Sequence, residues 1–373
     1  MNNSKIHVSY LTQVPGPYRE RMHELVWASG DFTYDVIYCA KLEPNRKWKL
    51  TYGVYPMYFL AEVAKTFKHN NTNVFKLLNR VNPSVLIITA FKPTMLYGVL
   101  WCILRGRKIV VYNDGTYDSE LNFSFVQKLI RKFVYNFSSS FMAPGNGTVK
   151  LYKSYGVPDE KIFRSCLCVD NTKLKHQPMH DRPFHIMYSG QIVERKLAMF
   201  FGQVAVALHK AYPNLKVLVV GDGVQKDELL ALLDRNQVDY HFTGFLDQEH
   251  LFEQYAKSKV FLFTTMDDVW GIVANESCAS GTPVITSKEA GVAGELVIHG
   301  QNGYVLPIEV EVWKDHVLEL LNNHELLEQF SINAMHTVRP YNHQQAANGL
   351  IEAVNHSLKK NKKLLKQETP TTL

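Results

Sequence analysis

Short apolar runs alternate with helical patterns along almost the whole chain. Ile6-His-Val-Ser-Tyr-Leu, Asp35-Val-Ile-Tyr-Cys-Ala, Ser84-Val-Leu-Ile-Ile-Thr, Lys108-Ile-Val-Val-Tyr and Ser140-Phe-Met-Ala are too short for helices and rich in β-branched residues. They predict buried strands. Between them, apolar positions recur at three- and four-residue spacing over 20–28, 74–80, 94–104, 123–137 and 148–155, which predicts helices. A second series starts at Phe184, with strands predicted at 184–190, 215–221, 240–244, 260–265 and 283–287 and helices at 197–210, 227–235, 248–258 and 269–278. After Pro307 the pattern is helical, over 312–321, 325–338 and 344–356, with Pro340 breaking the chain before the last helix. The aromatic and basic stretch 41–59 shows no period. Such alternation predicts two α/β units with parallel, doubly wound sheets. Pro178, Asp181 and Pro183 mark 176–183 as the linker.

Composition changes this picture little. Length suits two domains, and 46% apolar and 20% charged residues are ordinary for a globular chain. The opening residues lack the zones of a signal peptide, and the longest apolar run, 96–104, is far short of a membrane span. The five cysteines, Cys39, Cys102, Cys166, Cys168 and Cys278, have no metal-ligand spacing and read as reduced thiols of a cytoplasmic protein. Charge is informative. Residues 1–170 hold 22 Lys/Arg against 12 Asp/Glu, and the rest hold 19 against 23, so a basic first half (+10) faces an acidic second (−4). This points to an anionic partner, a phosphorylated substrate or a membrane surface. Lys128, Arg131 and Lys132 lie among apolar residues in 123–137, a basic amphipathic helix that predicts peripheral contact with an anionic membrane. The tail 359–373 is basic and predicts a disordered end or a second membrane toehold.

The densest chemistry lies between Asp268 and Pro307. Asp268 and Glu276 are eight residues apart, about 80° apart around a helix, so both acids are expected to face one groove. Pro283-Val-Ile-Thr-Ser and the turn Ala290-Gly-Val-Ala-Gly lead to a helix start expected at Glu295, a junction able to aim N–H groups at a phosphate. The loop Gly190-Gln-Ile-Val-Glu-Arg195-Lys196 closes the first strand of the second unit, and Gly221-Asp-Gly223 closes the next. In the first unit the strand ends carry Gly16-Pro-Tyr18-Arg19 and Asn113-Asp114. No Walker loop or Ser/His/Asp set is present, and the absence of Gly-x-Gly-x-x-Gly after the first strand disfavours a nicotinamide dehydrogenase. No metal site and no cofactor is expected.

At these residues the chain resembles the retaining, nucleotide-sugar-dependent GT-B glycosyltransferases of family 4, clearly over 184–307 and more weakly over 10–171. The family's E-x7-E pattern falls on Asp268 and Glu276, and its G-R-L-x-x-x-K-G loop on Gly190, Gln191 and Lys196, so the lysine carries over and the arginine does not. The resemblance implies two Rossmann-like domains facing across a deep cleft, 1–175 for the acceptor and 184–340 for the nucleotide sugar. It also implies a helix over 341–358 that crosses back to the first domain. It makes Lys196, Asp268 and Glu276 the catalytic set: Lys196 on the diphosphate, Asp268 on the sugar, Glu276 on the ribose. The donor site further takes in Gly16, Gly190, Arg195 as a substitute cation, Gly221, Gly223, Gly271, Ile272 and Val273. Tyr18, Arg19 and Asn113 or Asp114 stand on the acceptor side.

The expected activity is transfer of a sugar from a UDP- or GDP-linked donor to a glycan or polyprenyl-linked acceptor in cell-surface polysaccharide synthesis, at the inner face of a membrane and without nucleic acid. Gln191 and Asp268 also admit a catalytically silent nucleotide-sugar-binding protein, and an epimerase or inverting transferase stays open within the enzymes.

Overall fold

A computed structural model describes residues 6–43, 53–64, 66–173 and 176–359. The basic tail therefore lies outside the described residues from 360 onward. The first domain runs β1 (His7–Thr12), α1 (Pro17–Ser29), β2 (Thr33–Tyr38), β3 (Met57–Phe59), α2 (Asn73–Val81) and β4 (Val85–Ile88). It continues through α3 (Pro93–Arg105), β5 (Lys108–Tyr112), α4 (Phe125–Phe137), β6 (Ser140–Ala143), α5 (Asn146–Ser154) and β7 (Ile162–Arg164). Its seven strands are all parallel in the order β3-β2-β1-β4-β5-β6-β7.

The second domain runs β8 (Phe184–Ser189), α6 (Ala198–Ala211), β9 (Lys216–Val220), α7 (Lys226–Arg235), β10 (Asp239–Gly244) and α8 (Gln248–Ala256). It closes with β11 (Ser258–Phe263), α9 (Ile272–Ala279), β12 (Val284–Ser287), β13 (Gly303–Leu306), α10 (Val310–Asn322) and α11 (His324–Val338). Its six parallel strands follow β10-β9-β8-β11-β12-β13. Both sheets thus reverse their winding beside their own first strand, and the crevice at such a reversal, outside the carboxyl ends of the strands, is where open α/β sheets bind ligands.

Both sheets are buried on two faces, which is why their strands read as continuous apolar runs rather than alternating ones. One face of the first sheet is covered by α2 to α5. The other is covered by α1 and by the last described helix, α12 (His343–Leu358), through Ala346, Ala347, Leu350, Ala353 and Val354. This crossing is intimate. A Cβ on Gly349 would lie 1.6 Å from the Arg164 carbonyl oxygen, Ser165 Oγ donates to Ala346 O at 2.8 Å, and Ser140 Oγ donates to Ala353 O at 2.7 Å.

Three edge strands, β3, β7 and β13, were not foreseen. Each has only three or four residues, and β3 lies at the end of the stretch without periodicity. No described helix is long and apolar enough to cross a membrane.

Candidate active site in the interdomain cleft

In the second domain the loops after β8 and β11 meet at the sheet's reversal point and are stitched together. Met266 N–H donates to Arg195 O at 2.9 Å, Thr264 Oγ1 to Lys196 O at 2.9 Å, and Arg195 Nη1 to Asp267 O at 2.6 Å. Leu197 ends the turn in the left-handed region at φ 50°, unusual for a branched residue, and starts α6 behind the loop. Lys196 Nζ is thereby aimed at Asp268 Oδ2, with which it forms an ion pair, over the Phe263 ring at 5.5 Å. Gly190, Gly221 and Gly223 let the β8 and β9 loops touch backbone to backbone. A Cβ on Gly221 would lie 1.8 Å from Gly190 O, and one on Gly223 2.2 Å from Ile192 O.

Asp268 does not belong to the following helix. The chain turns at Gly271, at φ 100°, where a Cβ would meet the Phe263 ring at 2.3 Å, and α9 begins only at Ile272. The helical-wheel relation between Asp268 and Glu276 therefore does not hold. Asp268 stands on the loop, where its Oδ1 accepts the Trp270 N–H at 3.2 Å. The first N–H groups of α9, including those of Ile272 and Val273, have no acceptor within the helix and open beside Gly271. Glu276 lies in the second turn, 4% exposed. Tyr255 Oη stands 2.9 Å from its Oε2 and 3.1 Å from Ser189 Oγ, and Gln248 donates to it as well. Burial outweighs these two donors and pushes the Glu276 carboxyl up to about 7.

The phosphate turn expected at Gly291 to Glu295 is corrected by the structure. No helix starts at Glu295, because the segment folds as turns and isolated bridges held by Gly294 and Gly300 at φ 73° and 72°. Its N–H groups are already committed: Gly291 to Asp268 O, Val292 to Trp270 O, Ala293 to Ala290 O, Gly294 to Val297 O and Glu295 to Val292 O. Glu295 itself reaches the first domain, accepting the Asn146 N–H at 2.6 Å and facing Arg164 at 3.5 Å.

Across the cleft, Thr12, Gln13, Val14, Gly16, Tyr18, Arg19, Thr89 and Asp114 line a polar cavity of ≈ 100 Å³. It too sits at a reversal point, between β1 and β4. Arg19 is buried and doubly bonded to both Asp114 oxygens at 2.8 Å, with Nη1 on Tyr10 Oη at 2.7 Å and its plane 4.5 Å from the Tyr112 ring. Tyr18 packs against the apolar cluster of the second domain. Of the two residues weighed after β5, Asp114 lines the cavity and Asn113 does not. Asn113 is buried and spends its amide on Glu120 Oε1 at 3.1 Å and the Gly115 N–H at 3.1 Å.

Residues 170–337 match the family model described as "Glycosyl transferases group 1". The match falls on the second α/β unit, which is similar to the glycosyl transferases group 1. Among curated proteins, the chain is similar to the alpha-monoglucosyldiacylglycerol synthase of Acholeplasma laidlawii, 28% identical over 36% of this chain and 34% of that protein. It is also 28% identical to the glycogen synthase of Mycobacterium tuberculosis over 32% of this chain and 30% of that protein. The chain thus spans about a third of the length of these relatives. Over the whole fold it superposes on Anabaena HepE, solved in complex with UDP, with a TM-score of 0.75 at 16% identity, covering 94% of this chain and 100% of that one. The sucrose-phosphate synthase of Thermosynechococcus elongatus gives 0.73 at 14% identity, covering 94% and 98%. The fold is therefore GT-B, with the region similar to group 1 as its second Rossmann-like unit.

Within the second domain the structure brings Arg195, Lys196, Asp268, Gly271, Ile272, Val273 and Glu276 to one side of the cleft. It gives Gly190, Gly221 and Gly223 the task of packing two loops together. Gly16 stands in the opposite wall with Tyr18 and Arg19. Sequence reasoning missed Tyr255, Ser189 and Gln248 around Glu276, and Thr12, Gln13 and Thr89 in the facing cavity. For Ser189, Thr12 and Thr89 the signal was present, since each is the polar residue where an apolar strand ends. Tyr255 and Gln248 sit on α8 and carry no such mark.

Proposed function

We propose that this protein is a retaining glycosyltransferase that moves a sugar from a UDP- or GDP-linked donor to a glycan or polyprenyl-linked acceptor in cell-surface polysaccharide synthesis. The observation that carries this reading is the Lys196–Asp268 pair set at the reversal point of the second sheet, beside the open N–H groups of α9. The fold-mate HepE, solved with UDP and with UDP-glucose, supports a nucleotide-sugar donor.

In this reading the donor's diphosphate competes with Asp268 for Lys196 and also takes the N–H groups of Gly271, Ile272 and Val273, where the helix dipole favours an anion. Asp268 is released to the hydroxyls of the sugar. Glu276 accepts the ribose hydroxyls from its buried seat under Tyr255. Arg195, beside Lys196, supplies the second cation where the family's arginine is replaced by Gln191. The bond from the anomeric carbon to the diphosphate breaks while the acceptor oxygen attacks from the same face, and the acceptor's proton passes to the departing phosphate oxygen. Charge developing on that oxygen is met by Lys196 and the helix opening. Opposite, Arg19 and Asp114 cancel each other's charge, so the cavity offers hydroxyl and amide groups suited to an uncharged sugar acceptor. A lipid-linked acceptor would be met by peripheral attachment to the inner face of the membrane.

The test is turnover against a panel of nucleotide sugars with soluble and lipid-linked glycans, reading the product's anomeric configuration by proton NMR. Lys196→Ala and Glu276→Ala are each expected to lower kcat/KM by about tenfold or more. Full activity in both variants, or an inverted product, overturns the assignment.

A further inference from the structure

Helix α4 is built inside out. Of its thirteen residues only Arg131, Val134 and Tyr135 are buried, whereas Phe125 is 80% exposed and Val126, Leu129, Phe133 and Phe137 are 49–63% exposed. At about 100° per residue these five side chains span an outward arc of roughly 120°, in which Asn136 is the one polar residue. The Phe133 and Phe137 rings lie 4.9 Å apart on it. Lys128 and Lys132 are exposed along one flank of this arc, and the helix carries no acid.

The structure also changes which cations are available there. Arg131, expected on the outer face, is buried: its Nε stands 2.5 Å from Glu120 Oε2, and its guanidinium is sandwiched between Phe91 and Phe123, each 4.4 Å away. Arg131 anchors the helix rather than meeting a partner. What remains outside is a broad apolar arc with two lysines beside it, on a domain of strongly positive charge.

We infer that this face of α4 docks the protein on an anionic bilayer, with Phe125, Val126, Leu129, Phe133 and Phe137 entering the acyl boundary and Lys128 and Lys132 meeting the headgroups. An interfacial helix needs this combination of an apolar arc with basic flanks. A second copy of the chain is disfavoured as the occupant, because a symmetric contact through this face would bring the same lysines together with no acid on α4 to answer them. The inference extends the membrane reading above, yet its test uses neither donor nor turnover, so either can fail alone.

The experiment is co-sedimentation of the full chain with vesicles of phosphatidylcholine, with and without phosphatidylglycerol, alongside amide hydrogen exchange. Anionic vesicles are expected to bind the protein and to protect α4. Raising salt from about 50 mM to about 500 mM should weaken binding severalfold through the headgroup lysines. Phe125→Ser/Leu129→Ser and Lys128→Glu/Lys132→Glu should each cut binding by about tenfold, with thermal unfolding unchanged because all four side chains are exposed. Binding unaffected by both double variants overturns the inference. So does protection confined to other segments, or lipid-free self-association that the serine variant abolishes.

Discussion

Replacing Glu276 with glutamine separates what this carboxyl does for function from what it does to stability. Burial lifts it from its ordinary 4.5 to about 7 in the folded chain. The native state therefore holds a proton that the unfolded chain releases above about pH 4.5. Stability contributed at this site is highest below that pH, falls as pH rises through the interval, and is lowest once the native carboxyl ionises above about 7. Lifting a carboxyl that far corresponds to about 3 kcal/mol against the native state at pH 8. Glutamine has the same shape and keeps an oxygen for Tyr255, but a hydrogen bond to an amide is weaker than one to a carboxylate by about 1 kcal/mol. Glu276→Gln is thus expected to stabilise the protein by about 2 kcal/mol at pH 8, raising Tm by about 4–8 °C for a domain of this size, and to be neutral or slightly destabilising at pH 4.5. Nucleotide affinity should fall at both pH values. The assay is thermal unfolding across pH 4.5–8 with far-UV dichroism as the fold control. A variant that melts below the parent at pH 8 would refute the reasoning, since the buried charge would then not be the unfavourable element.

Three further outcomes follow from single contacts. Asp268→Asn should bind UDP or GDP more tightly than the parent, because Lys196 loses its competing partner, while transfer falls by about tenfold; calorimetry and turnover showing both moving together would remove the exchange of partners. Gly349→Ala places a methyl against the Arg164 carbonyl and should destabilise by at least about 3 kcal/mol, read as a lower denaturation midpoint together with exposure of the α12 face to hydrogen exchange. Arg131→Ala strands buried Glu120 and should cost about 3–5 kcal/mol, whereas Arg131→Ala/Glu120→Ala should recover part of that loss in the same denaturation series.

The architecture was legible because both faces of each sheet are buried: continuous apolar runs such as Val85–Ile88 leave little choice but a strand in a covered sheet. The landing points of Lys196 and Glu276 were legible too, since they follow strands of that kind in a recognisable pattern. What escaped depended on contacts between residues distant in sequence. The helix looked as if it began beside Asp268, at Val269, because nothing local shows that Gly271 must turn at positive φ to clear the Phe263 ring. Arg131 looked superficial because its partner Glu120 stands on a loop outside the helical pattern. Glu295 looked like a helix start, but its carboxylate is held by Asn146 and Arg164 of the other domain, a relation no short window contains. Asn113 and Asp114 are neighbours with opposite fates, decided by which of them Arg19 can reach from α1.

The seating of α12 on the first sheet has a consequence for how the protein is made. On the ribosome, the strands of the first domain are complete at Arg164, but the helix that covers one of their faces begins 179 residues later at His343. At about 5–20 residues per second, the sheet waits roughly 10–35 s with that face covered only by α1. During that interval the second domain can form and close on itself, while the first remains an unfinished layer whose apolar surface is exposed to chaperones and to other nascent chains. The emergence of α12 is therefore what ends this exposure, and a chain interrupted shortly before it would carry a finished second domain tethered to an aggregation-prone first.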